Sequence, residues 1–505
     1  MLSLCLLSFA FCAVLVILSN GMSTVQSVEY EVVEHLRAVP QGWVKGSAAN
    51  PHNWQQFRIA VYQERAQEFE EMMIKISTPG HNMYGRHLNR QQVKDYLRPR
   101  SEITAAVVSW LSSEGIPNEY IDEDGNWIRF NATIEQAEHM LNTQFYSFHN
   151  KFSNISQTRT LGYAVPRQIH PFIEMIQPTT RFNHIRAQNN FILSAETGTP
   201  VSEVDCNNTI TPTCLRDLYG LGNRVMAPHP RNRLGISNYL EQYARYDDLQ
   251  SFLQRFTPGM ADANFTVQSI NGGRNDQNST FDSHEANLDI QYGVSLSYNT
   301  PAIVFTTGGR GPNIPDIPGS HDANRHEPYL EQLLYLLALP DDQLPSVLST
   351  SYGEEEQTLP ASYMNVTCGL FAQLGARGVS VIFASGDSGV GATCKSNDGR
   401  NRTMFNPGFP ASCPFVTSVG GTAKINPEVA TYFSSGGFSD QFPRPSYQEA
   451  AVTSYLAILG DRWKGLYNPA GRGFPDVAAQ SFNFWIVDKG MDKLIGGTRS
   501  VWQSN

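Results

Sequence analysis

At 505 residues the chain is long enough for more than one domain. Hydrophobic residues at 41% and charged residues at 17% exclude a disordered chain. A net charge of -10, without any run of Lys or Arg, excludes a general nucleic-acid binder, which needs a basic field to release counterions.

In chain order, Met1 to Leu18 is almost wholly apolar and leads into Ser19-Asn20-Gly21. This predicts a secretory signal peptide over residues 1–20. No Lys or Arg precedes the apolar run, and the run is nearly long enough to span a bilayer, so an uncleaved anchor is the alternative. No other segment could cross a membrane, and stable membrane association is not expected. Asn131, Asn154, Asn207, Asn264, Asn278, Asn365 and Asn401 each open an Asn-x-Ser/Thr sequon, which fits a secreted, extracellular glycoprotein. Cys5 and Cys12 would leave with the signal, so Cys206, Cys214, Cys368, Cys394 and Cys413 remain. Cys206 and Cys214 are close enough to close a small loop, and one of the other three lacks a partner. Neither CxxC nor HExxH occurs, so nothing suggests zinc.

A first α/β unit is predicted from about Tyr30 to Phe182. Arg58 to Tyr62 alternates like a strand, and Gln67 to Ile76 and Ser101 to Glu114 read as helices. Asn126 to Phe130 is a strand behind the Asp124-Gly125 turn, followed by an amphipathic helix over Ile134 to Leu141. The expectation is a small antiparallel sheet with helices on one face. Gln188 to Asn208 is polar and irregular, as in a linker open to proteolysis.

Beyond Cys214 the pattern becomes that of a doubly wound parallel α/β sheet. Strands are predicted at Arg233–Ser237, Ala302–Phe305, Val347–Thr350 and Val379–Ala384. Helices are predicted at Tyr246–Phe256, Glu327–Leu339 and Tyr363–Leu374. Sites in such sheets gather beyond the carboxyl ends of the strands. Glu354-Glu355-Glu356 and Ser385-Gly386-Asp387 both follow strands directly.

Phe281 to Tyr292 reads as a helix with Asp282 or Ser283 to cap it. Glu285 and Asp289, four apart, share one face. Like charges so placed cost a helix about 0.2–0.5 kcal/mol, so they are either a solvated acidic face or a functional pair. His284 would point away from that face, as an ordinary helix histidine. The Ser385-Gly386-Asp387-Ser388-Gly389 loop invites comparison with the nucleophile loop of trypsin-like proteases. Val390 stands where the next Gly should be, the domain is α/β, and no His lies in the required context. A subtilisin triad fails for want of its histidine.

The segments SHEANLDIQY, LSTSYGEEE, ARGVSVIFASGDSGVG, FPASCPFVTSVGGT, SSGGFSDQFPRPSYQ, GRGFPDVAA and IGGT occur in this order. In combination they resemble the sedolisin family of serine-carboxyl peptidases, in particular the secreted tripeptidyl peptidases of filamentous fungi. The first unit, with YGRHLNRQQV, VVSWLSSEGI and WIRF, resembles that family's activation propeptide. The resemblance implies a subtilisin-like doubly wound parallel-sheet catalytic domain preceded by an α+β propeptide. The implied layout is a signal peptide at 1–20, propeptide at 21–187, linker with the activation cleavage at 188–208 and peptidase domain at 209–505. It further implies Glu285 as general base, Asp289 as its orienting partner and Asp387 as the oxyanion-hole acid. The expected substrates are polypeptides with free N-termini, with the propeptide as inhibitor and a monomeric enzyme. A carboxylate must anchor the substrate ammonium, and Glu354, Glu355 and Glu356 are candidates, with a solvated loop as the alternative.

One departure stands out. The family's nucleophile is the Ser of Gly-Thr-Ser-Ala-Ser, whereas this chain reads Gly497-Thr498-Arg499-Ser500-Val501. A one-residue shift displaces a hydroxyl by roughly 3 Å, and near-attack geometry tolerates about 1 Å, so Ser500 is not expected to substitute. The family also carries a C-terminal calcium site of an Asp and backbone carbonyls. Its counterpart is missing from this sequence, so calcium is expected from the family but not from these residues. The chain as written is expected to be inactive and to expose apolar surface. A non-catalytic protein that binds peptides or a paralogue is the alternative function.

Overall fold

A computed structural model of the chain describes residues 28–40, 42–151, 156–182, 205–222, 232–297, 299–314 and 326–498. The predicted signal peptide, most of the predicted linker, Asn154, Arg499 and Ser500 lie outside them.

Phe57, Ile59 and Val61 point to one side of β1 (Trp54–Val61), and Arg58 and Ala60 to the other. This is the period-two geometry of a strand. β1 sits inside a four-stranded antiparallel sheet with β2 (Ile121–Asp124), β3 (Trp127–Thr133) and β4 (Ile173–Gln177), in the order β2-β3-β1-β4. The odd face is covered by α3 (Ser101–Ser113) through Ile103, Val107, Trp110 and Leu111, and by α4 (Ile134–Met140) through Ile134, Ala137 and Met140. Thr133 caps α4 in a capping box with Gln136. Two further small sheets, Tyr30–His35 with Gly162–Pro166 and Trp43–Ala48 with Tyr146–Asn150 and Ser156–Arg159, complete this part.

The larger part is an eight-stranded sheet. Its strands are β5 (Leu234–Asn238), β6 (Phe265–Ile270), β7 (Ala302–Thr307), β8 (Val347–Thr350), β9 (Ser380–Ala384), β10 (Thr417–Ala423), β11 (Val429–Ala430) and β12 (Val477–Gln480). The order is β6-β7-β5-β8-β9-β10-β11, with β12 also paired to β10. All pairings are parallel except β10 with β11. From β5 the chain winds outward to β6 and β7, then crosses to β8 on the other side, so the winding reverses between β5 and β8.

Helices cover both faces. α5 (Pro212–Leu218), α6 (Tyr246–Phe256) and α7 (His284–Leu296) pack on Ile236, Val304 and Val419. α8 (Tyr329–Ala338) and α9 (Ala361–Ala376) pack on the opposite residues Phe305, Leu348, Val381 and Phe383. Disulfides join Cys206 to Cys214 and Cys368 to Cys413, and among the described residues Cys394 is free. Among the described residues, no helix is long and apolar enough to cross a membrane. α10 (Glu449–Leu459) buries only Val452 and leaves Ile458 exposed.

The even face of the N-terminal sheet docks on α8 and α9. Ala60, Trp127 and Met175 share a core with Leu330, Leu333 and Phe371. Arg58 reaches Glu331 of α8 at 2.5 Å, and Arg181 also pairs with Glu331. Two more helices, α1 (Ala66–Ser77) and α2 (Arg90–Leu97), bring Phe69, Met72, Met73 and Val93 against Ala372 and Ala376 of α9.

Candidate active site

α7 is not a solvated acidic helix. His284 through Ser295 are all buried, including Glu285 and Asp289, so the acidic pair is not a solvated surface face. Gly293 lets the helix lie close on β5, since a Cβ there would meet Leu234 Cδ2 at 3.1 Å and Ile236 Cδ1 at 3.2 Å. α7 follows β6, so its first turn lies at the carboxyl edge of the sheet. Ser351, the residue after β8, donates its hydroxyl to Asp289 Oδ1 at 3.0 Å. That bond anchors the acidic pair beside the point where the winding reverses, the usual site position in open α/β sheets.

Asp387 lies three residues past β9 at the same edge. The Thr498 amide donates to Asp387 Oδ1 at 2.6 Å, and Thr498 Oγ1 lies 2.9 Å from the same oxygen. The Gly386 amide donates to Thr498 Oγ1 at 3.0 Å. Gly497 permits this approach, because a Cβ there would meet Asp387 Oδ2 at 2.9 Å. Gly386, at φ +110°, turns the chain beneath Ser435, whose Oγ accepts the Ser388 amide at 2.9 Å. The structure thus gathers Glu285, Asp289, Asp387 and the Gly496–Thr498 loop at one edge of one sheet.

The capping expectation for α7 is corrected. Neither Asp282 nor Ser283 caps it with a side chain. Ser283 Oγ accepts the Tyr243 amide at 3.1 Å, and Asp282 pairs with Lys489 at 2.5 Å. His284 is also not an ordinary helix histidine. It is buried, with Nε2 3.4 Å from Asp488 Oδ2. Burial holds its pKa below the usual value, against the pull of the Asp488 and Asp282 carboxylates. Sequence reasoning missed Asp488 and Arg245, because each reaches the site from a distant strand or turn and carries no local motif, and it gave Ser351 no role although that residue lies within the quoted LSTSYGEEE segment.

The solvated-loop alternative for Glu354 to Glu356 is corrected too. Glu356 is buried and accepts from Ser412 and Ser439 hydroxyls and from the amides of Asp440 and Gln441. Glu355 accepts the Ala392 amide at 2.6 Å. Glu354 sits with Glu327 beneath the Tyr329 hydroxyl, which lies 3.2 Å from an oxygen of each. Burial first, and then the Glu327 carboxylate, push Glu354 well above the usual carboxyl range.

Calcium takes six to eight oxygen ligands. Among the described residues, one group of ligand-type side chains converges, Asp282, His284 and Asp488. It contains an imidazole and already faces Lys489 and Arg245, so it does not fit calcium.

Residues 41–182 match the Pro-kumamolisin activation domain. The chain is 53% identical over 472 residues to the probable tripeptidyl-peptidase SED3 of Arthroderma benhamiae, covering 92% of this chain and 79% of that protein. It is 50% identical over 476 residues to tripeptidyl-peptidase SED4 of Arthroderma otae, covering 94% and 79%. A solved Pseudomonas sedolisin, a serine-carboxyl proteinase complexed with two molecules of pseudo-iodotyrostatin, aligns at 20% identity and TM-score 0.40 over 59% of this chain and 78% of that one. So loose a superposition carries no weight for the site. The relatives and the activation domain define the class, a peptidase made as a zymogen. The chain belongs to the sedolisin family of serine-carboxyl peptidases.

Proposed function

We propose that the chain has the machinery of a secreted, acid-active peptidase that releases tripeptides from free N-termini, and that Arg499 in the nucleophile's place leaves it without hydrolytic activity. The observation that carries this reading is the Gly496–Thr498 loop held on Asp387, at the same sheet edge as Glu285 and Asp289. Thr498, the last residue before the nucleophile position, thus lies against a carboxyl able to stabilise an oxyanion.

Glu285 is the general base, Asp289 orients it, and Asp387 donates to the developing oxyanion. A Ser–His pair loses its base below about pH 6.5, whereas a Glu still accepts a proton near pH 4. Asp387 donates a hydrogen bond only while protonated, so all three roles favour acid. Of the acidic run, Glu354 is the candidate anchor for the substrate ammonium. A cation arriving beside Glu354 would replace the proton that burial and the neighbouring Glu327 carboxylate favour on it. Export is supported by the apolar N-terminus, by two disulfides and by exposed sequon asparagines at 207, 264, 278, 365 and 401. The enzyme is taken to act as a monomer, with its propeptide as inhibitor.

The test compares the chain with R499S on a tripeptide anilide at pH 4 and pH 8. R499S is expected to hydrolyse the free-amino substrate at pH 4 only and to spare its N-acetylated form. Adding E285Q should then lower the rate by about 10²–10⁴. A pH 8 optimum, or equal activity in the unsubstituted chain, overturns the assignment.

Arg499 itself favours a second reading, a non-catalytic protein that binds peptides or a paralogue through the same cleft. R499S inert at both pH values, with the unsubstituted chain binding peptide at pH 4, would decide for it.

A further inference from the structure

Two late strands, β13 (Phe484–Asp488) and β14 (Met491–Ile495), form a hairpin that runs directly into Gly496. β13 is wholly buried and lies along α7. Gln291 grips Val487 from both sides, donating to its carbonyl at 2.7 Å and accepting its amide at 3.0 Å. Tyr292 Oη lies 2.9 Å from Trp485 O. At the other end, the Ser283 amide at the start of α7 donates to Asp488 Oδ2 at 3.2 Å. Asn287, one turn on, donates to Asp488 Oδ1 at 2.7 Å. Asp488 is fully buried, with Arg245 Nε 3.4 Å away. Arg245 also donates to the carbonyls of Ser279 and Phe281, tying down the approach to the helix. Asp248 accepts the amides of Lys489 and Gly490, both at 2.8 Å, and so fixes the hairpin turn.

We propose that Asp488 is a positioning residue for Glu285, acting as an N-cap delivered to α7 from a strand some two hundred residues away. The helix start has orphan amides and a positive dipole end, and a carboxylate satisfies both. A cap from the residue's own turn would serve the helix alone. A cap from β13 also fixes where Glu285 stands relative to the loop that β14 feeds. The proposal rests on Glu285 being the general base, but its test does not use hydrolysis, so the two readings can fail separately.

Hydrogen exchange of the full chain at the segment 281–288, beside that of α9 at 361–376, reads the cap. D488A is expected to speed exchange at 281–288 about tenfold, the scale of a lost N-cap, and to leave α9 unchanged. D488N keeps an acceptor oxygen without the charge and is expected to stay within about threefold of the unsubstituted chain. The His284 imidazole faces Asp282, Asp488, Lys489 and Lys493, and its NMR titration should move to lower pH in D488N as the Asp488 charge is lost. Unchanged exchange in D488A, or equal acceleration at α9, overturns the proposal. So does D488N exchanging like D488A, because charge pairing with Arg245 and His284 would then hold the helix. If D488A does not fold, D488N alone decides.

Discussion

Glu34 is buried in the N-terminal part, with the Thr180 hydroxyl donating to its Oε1 at 2.7 Å. Burial raises its pKa to about 7. The folded value lies above the unfolded one, so the stability is full below about pH 4.5 and is lost as pH rises through about 7. E34Q removes the charge without removing the acceptor. It should therefore raise the urea midpoint at pH 8, by a few kcal/mol in stability, and leave it unchanged at pH 4. The acidic pair Glu285 and Asp289 was legible because four-residue spacing is a local signal. Asp488 was not, because its partner Ser283 is distant in sequence and its strand offers no acidic pattern.

Whole helices were the most legible elements. The span Tyr246–Phe256 matched the expectation, and α3 differed by one residue, since apolar periodicity sets both. Tyr30–His35 and Trp43–Ala48 went unread, being half-exposed strands with charged or small residues on both faces. The sheet face that meets α8 was equally hidden, because Arg58 looks like a solvent residue until Glu331 appears opposite it. Glu331 is only partly exposed, which alone would raise its pKa, but Arg181 and Arg58 hold it below the usual value. Its contribution is therefore present above about pH 4.5 and is lost only as pH falls through that depressed value. E331Q leaves two guanidinium groups unpaired at the interface, at a cost of about 3 kcal/mol at pH 7. Hydrogen exchange of β4 and α8 should rise in E331Q at neutral pH, with the difference from the unsubstituted chain vanishing well below pH 4.

For the molecule as a whole, the Cys368–Cys413 bridge ties α9, the helix that carries the propeptide, to the segment entering β10. It closes a loop of 45 residues, which in the chain-entropy account contributes about 4 kcal/mol. Replacing both cysteines by Ser should lower stability by that order in urea titration. The propeptide docking should weaken with it, whereas loss of the short Cys206–Cys214 loop should cost less.

The ion pairs on Glu331 and the shared apolar core make the propeptide a docked subunit as much as a tethered one. Cutting the backbone between the two parts would break none of these contacts. Maturation would therefore run on two clocks, a scission rate set by a protease's access and a departure rate set by the interface. A nicked particle of unchanged size should persist whenever the second clock is the slower.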